Sequence, residues 1–302
     1  MITFEDRAEE MGLEKLEDGS FHYEDQYSAV RYKPLYTLPP DPEQETEPDE
    51  TFGYNTGLLG IFTKPVNVPD AQWSYVSYIS RVYKFVGNDA IMSALRNSIN
   101  SVGMPVLQEN SYQSWKLSGF RGEIVLSSPV NAPTFGDILP VMVVLNSYDG
   151  TQAQMVTFGL CMDYQGYNHM FAFKLGRMRQ IHVAGASTEM SSSVQDYVRV
   201  FSESMIELIG NSFNTRLNEE QLFGTLDVIE KIGKKARDEI SKTINDMTNE
   251  GELPSAWHVF LAITRYSSLE ANLNTKRLME NAAERVLVIP ERMLNLLEEL
   301  QK

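Results

Sequence analysis

Apolar positions along the chain change period several times, and those changes mark its elements. Trp73, Val76, Ile79, Val82 and Tyr83 recur at three- and four-residue spacing, the one-sided stripe of an amphipathic helix. Asp70 follows Pro69 and suits an N-cap, so a helix is predicted from Asp70 to about Val86, where Gly87 breaks it. A second helix is predicted from Asn88 or Asp89 to about Val102, with Ile91, Leu95 and Ile99 inward. The pattern then shortens to strands at 104–108, 112–117, 120–127, 139–146, 152–162, 167–175 and 178–183, most of them separated by Gly, Asn, Asp or Pro as antiparallel hairpins require. Leu139 to Arg179 reads as a β-meander, with Asp149-Gly150 as its clearest turn.

Helical patterning resumes at Ser191 and runs to about Phe213. Asn218 and Gln221 fit a capping box for the next helix. Helices continue to about Asn249, break at Glu250-Gly251-Glu252-Leu253-Pro254, and fill 255–301 with two or three more. No internal repeat is visible. The plan is α+β: a central antiparallel β-meander flanked by helices, a helical C-terminal third, and an extended acidic N-terminal arm. Three regions follow: residues 1–69 as the largely extended arm, 70–250 as the core with the sheet, and 251–302 as a helical segment packed on that core.

Charge sharpens the arm. Of the net −15, residues 1–50 carry −11 and the remaining 252 only −4. The run from Pro39 to Glu50 is acidic and proline-rich and has too little apolar surface to offset its ordering entropy. Aromatic segments on either side of it (Phe21, Tyr23, Tyr27, Tyr32, Tyr36, then Phe52, Tyr54, Phe62) are suited to lie on the body or on a neighbouring subunit. The 42% apolar content supports a core. No apolar run approaches a membrane span, and the first residues lack a signal-peptide pattern. A single cysteine, Cys161, excludes an internal disulfide framework and a Cys-based zinc site. A cytoplasmic location is expected, with no membrane partner.

Against this acidic background Lys174, Arg177, Arg179 and His182 form a compact basic cluster just after the meander. Arg177 and Arg179 fall on one strand face, about 7 Å apart by strand rise, which matches successive phosphates of an extended strand. Tyr167, Phe171 and Phe173, with Tyr164, supply rings beside them for base stacking. The competing reading is a solvated sheet edge that charge protects from aggregation. A second basic run, Lys231, Lys234, Lys235, Arg237 and Lys242, alternates with acids at helical spacing and reads as a salt-bridged helix face. No phosphate loop, dinucleotide fingerprint or nucleophile elbow is present. A Cys161–His169 dyad and a metal site of Asp137, Asp149 and Asp163 are weighed against a buried strand cysteine and ordinary turn chemistry, and the latter readings are preferred. No catalytic residue, metal or cofactor is therefore assigned.

Val143-Val144-Leu145-Asn146-Ser147-Tyr148-Asp149-Gly150-Thr151 resembles the Asn-Ser-Tyr-Asp-Gly-Ser/Thr segment of a phage- and plasmid-borne family of unknown function. Cys161, the basic stretch Arg177 to His182, and Trp257 to Thr264 follow in the same order, so the likeness spans about residues 90–285. The resemblance implies a mobile-element origin. Such elements encode single-strand annealing recombinases built on a β-meander and a long helix, assembled as rings or filaments. The expected function is thus a non-enzymatic protein that binds single-stranded DNA or RNA and anneals it as a homo-oligomer, in the host cytoplasm. The alternative is a protein-binding factor, a host-defence inhibitor or virion assembly protein, that engages a host or phage protein through its acidic arm.

Overall fold

The computed structural model describes residues 4, 8–9, 11–36, 55–66, 68, 70–80, 85–114, 119–127, 129–132, 136–149, 155–164, 167–172, 207–230, 233–249, 251–270 and 272–287. It is α+β, with two antiparallel sheets and helices concentrated in the C-terminal third. The first sheet is a simple meander of β1 (Glu14–Lys15), β2 (Phe21–Glu24), β3 (Ala29–Tyr36), β4 (Asn55–Lys64) and β5 (Ser74–Ser80), in that spatial order. Helix α1 (Asn88–Ser101) follows. The second sheet comprises β6 (Val106–Gln113), β7 (Gly119–Leu126), β8 (Val130–Ala132), β9 (Gly136–Ser147), β10 (Met155–Tyr164) and β11 (Tyr167–Ala172). Its order is β11-β10-β9-β7-β6, with β8 paired to β9. The C-terminal third holds a helical stretch at 207–214, then α2 (Glu219–Glu230), α3 (Lys234–Met247), α4 (Ala256–Leu269) and α5 (Leu273–Leu287).

The expected N-terminal arm is extended, but its described segments are paired rather than loose. Val30 and Tyr32 of β3, and Leu59 and Ile61 of β4, are buried at every second position, the period of two that turns one face of a sheet inward. The acidic, proline-rich run lies outside the described residues. The sheet continues into β5, past the boundary expected at residue 69.

Within the helix expected from Asp70 to Val86, Ser74–Ser80 is the strand β5 instead, and Val82 and Tyr83 lie outside the described residues. Asp70 has φ 57° and caps nothing. Val76 is an extra residue on β5: Ile61 pairs with Ser77 and Phe62 with Tyr75, a one-residue bulge. A bulge adds one residue to the alternation, so Val76 and Ile79 face the same side three positions apart. That spacing imitates a helix. The break expected between strands 104–108 and 112–117 is absent: Val106–Gln113 is one strand, β6, with Asn110-Ser111 inside the ladder rather than at a turn, and residues 115–117 lie outside the described residues.

Alternate residues of the second sheet face two separate layers. Phe120, Ile124, Leu126, Met142, Val144, Val156 and Phe158 pack beneath Ile91, Met92, Leu95 and Ile99 of α1. At Gly122 the helix approaches the sheet closely: a Cβ would lie 2.4 Å from the Met92 sulfur, and the methionine would have to move. Leu160, Met162 and Phe171 instead join the helical third around Trp257, Phe260 and Ile263. On the opposite face, Val125, Val141, Val143, Leu145, Cys161 and Met170 form another apolar cluster.

That opposite face also holds a buried ionic network. Arg121, 2% exposed, donates to both Glu280 oxygens at 2.8 and 2.6 Å and to Glu123 at 2.5 Å. Lys276 lies 3.5 Å from Glu123 and 4.5 Å from the centre of the Tyr112 ring. Burial alone pulls the Arg121 guanidinium down, and Glu280 and Glu123 more than offset it. Burial likewise raises Glu123, but Arg121 and Lys276 leave it below its ordinary value. Lys276 is lowered by burial and by neighbouring Arg121.

Removing one partner from such a network leaves a buried charge uncompensated, at a cost of about 3–5 kcal/mol. Glu280→Ala is therefore expected to lose stability on that scale in urea denaturation. A loss under about 1 kcal/mol, the scale of an exposed pair, would show that water replaces the carboxylate.

Candidate nucleic-acid interface

The motif Asn146-Ser147-Tyr148-Asp149-Gly150 ends β9, and its first and third residues serve packing. Asn146 donates to the Val86 carbonyl at 3.0 Å and to Asn88 Oδ1 at 2.9 Å, fixing the entry to α1. Tyr148, 1% exposed, stacks on Phe85 with centroids 5.4 Å apart, and its hydroxyl lies 3.1 Å from Ser28 Oγ. Phe85 in turn meets Tyr23 and Tyr32 edge-on. Asp25, from the β2–β3 turn, accepts from the Asp89 amide at 3.2 Å and so satisfies one N-terminal donor of α1. The inner face of the first sheet is thereby closed against the second.

The sequence-predicted site divides on inspection. Lys174, Arg177, Arg179, His182 and Phe173 lie outside the described residues. Tyr167 is placed by its backbone alone, opposite Tyr164 in the β10–β11 ladder. Phe171 is buried at 0% exposure, 5.1 Å from Phe260 and edge-on to it. Its role is to anchor α4 on β11, and the stacking role expected for it is corrected accordingly: its ring already lies inside the core.

The register also separates the enzyme candidates. Cys161 pairs with Met170 and His169 with Met162, so Cys161 and His169 occupy register positions of opposite parity. Burial pushes the Cys161 thiol up to about 11. Asp137 is near the start of β9 and Asp149 lies two residues beyond its end, with about 33 Å of strand between Asp137 and Ser147. Among the described residues no group of three or more His, Cys, Asp or Glu is placed to hold a metal ion. No helix among them is long and apolar enough to cross a membrane. In the second basic run Arg237 pairs with Glu230, and Lys235 lies 3.7 Å from Glu239.

Sequence reasoning missed the outer face of the first sheet. Register aligns His22, Arg31, Phe62 and Tyr75 as one row across four strands. The next row holds Lys33, Gly60 and Tyr78. Trp73, just before β5, reaches back across this face. Its ring centre lies 4.8 Å from the Arg31 guanidinium, 5.2 Å from Lys64 Nζ and 5.7 Å from the His22 ring. Tyr75 and Tyr78 are 48% and 58% exposed. Lys33 is paired with Asp18 at 3.4 Å, and His22 lies 3.5 Å from Glu24. Arg31 and Lys64 have no carboxylate partner among the described residues, and Arg31 Nε and His22 Nδ1 have no hydrogen-bond partner. The available signal was the alternation of Val30-Arg31-Tyr32-Lys33, obscured by the adjoining acidic run and the bulge.

No protein-family model, curated protein or solved structure matches the chain. The reading of its function rests on the residues themselves.

Tyr148 offers a direct test of the joint between the sheets. Tyr148→Phe removes only the hydroxyl and is expected to cost about 1 kcal/mol. Tyr148→Ala empties the aromatic site and is expected to cost about 3–5 kcal/mol. Thermal melts of the two variants check the order. Equal losses would mean that the ring contributes nothing beyond its hydroxyl.

Proposed function

We propose that this chain is a non-enzymatic, phage- or plasmid-encoded protein that binds single-stranded nucleic acid and promotes annealing as an oligomer. The observation that carries the reading is the outer face of the first sheet, where Arg31 and Lys64, without a carboxylate partner among the described residues, and exposed aromatic rings lie side by side. A protein of net −15 repels polyanions at long range, so Arg31 and Lys64, which no carboxylate holds among the described residues although Asp18 and Glu24 meet Lys33 and His22 nearby, have a specific use. Arg and Lys beside stacking rings form the usual platform for single strands. The resemblance of Asn146–Gly150 to the phage and plasmid family supports the origin. The basic cluster Lys174, Arg177, Arg179 and His182, with Tyr167 and Phe173, is retained as a second contact with the same ligand.

Fluorescence anisotropy of a labelled single strand over a range of salt concentrations tests the reading. Log affinity is expected to fall linearly with log salt. Arg31→Ala/Lys64→Ala is expected to reduce that slope by about 1.4, two phosphate contacts at ~0.7 each. Absence of binding by the wild-type protein at low salt would sink the proposal and shift the search to protein partners of the acidic segment.

A further inference from the structure

We infer that the single strand runs along β3 to β5, with successive phosphates beside Arg31 and Lys64, bases stacked on Tyr75 and Tyr78, and about three nucleotides covered by each copy. The inference rests on the proposed nucleic-acid-binding function and specifies how that site reads its ligand.

The outer face is organised in columns. Cations occupy β3 and β4, with Arg31 and Lys64 at adjacent register rows. Rings occupy β5, where Tyr75 and Tyr78 stand opposite Phe62 and Gly60. Neighbouring strands lie about 4.8 Å apart, so the β3 cation and the β5 rings are separated by about 10 Å. Rows along a strand repeat every ~7 Å, the reach of one extended nucleotide, and three rows therefore take about three nucleotides. The bulge at Val76 makes this column possible: without the extra residue, positions 75 and 78 would face opposite sides of β5.

Two further details favour an anion at the cationic column. Trp73 holds Arg31 and Lys64 against one ring without neutralising either. Arg31 Nε and His22 Nδ1, on paired residues of β2 and β3, have no hydrogen-bond partner among the described residues. A phosphate beside Arg31 would pair with the guanidinium charge. Duplex nucleic acid offers its phosphates but keeps its base faces stacked, so it can use the cations and not the tyrosines.

The test compares affinities for oligothymidylates of increasing length and for a duplex of matched length. Wild type is expected to prefer the single strand, and Tyr75→Ala and Tyr78→Ala are each expected to weaken it about tenfold, the effect of losing one stacked base. Tyr75→Phe and Tyr78→Phe keep the ring and are expected to bind as wild type. Both tyrosines are exposed, and melting curves confirm that the variants fold. Single-strand binding that depends on Arg31 and Lys64 but not on the two rings would overturn the stacking inference and leave the function standing. No binding of any nucleic acid would remove both. Displacement of the oligonucleotide by poly-glutamate at equal charge concentration would assign the face to an acidic protein partner instead.

Discussion

A sheet with one apolar face has to bury that face, and here Tyr148 and Phe85 cover it together with Phe4, Ala8 and Leu13. The stacked pair receives Tyr23 and Tyr32 at its edges and ties Ser28 to the end of β9. Gly87 lies so close to this joint that a Cβ would sit 2.0 Å from the Tyr23 hydroxyl oxygen. Once the inner face is committed, alternation leaves Arg31, Lys64, Tyr75 and Tyr78 on the outer one. The position of the candidate interface is thus a consequence of how the two sheets meet.

The Arg121 network is a different kind of constraint. Four charged groups out of water stabilise little compared with apolar side chains of similar size. Their geometry, however, admits few arrangements. Glu280 meets both terminal nitrogens of Arg121, and Lys276, one helical turn earlier, meets Glu123. The pairing sets the rotation of α5 over β7, which apolar contacts alone would leave looser.

The second sheet was largely legible in the sequence because its strands are short apolar runs between turn residues, and α1 because Ile91, Leu95 and Ile99 keep a helical period. The capping box was legible too: Asn218 Oδ1 accepts from the Gln221 amide, and Gln221 Oε1 accepts from the Asn218 amide. The first sheet was not, for physical reasons. Its strands flank a segment whose composition argues against order, and its β5 bulge converts a period of two into a spacing of three. Phe171 misled in another way. An aromatic residue on a strand looks the same in sequence whether it meets a base or, as here, Phe260.

The contrast among the cations bears most directly on function. Arg96 is held by Glu109, Arg121 by Glu280, Arg237 by Glu230 and Lys235 by Glu239. Each of those contacts cancels the charge it positions. Arg31 and Lys64 are positioned by an indole ring, whose quadrupole attracts a cation but carries no net charge. A carboxylate in place of Trp73 would hold the same side chains and leave nothing for an incoming anion. The ring orders the two cations and keeps their charge available, and in so acidic a chain that difference is what the proposed binding role rests on.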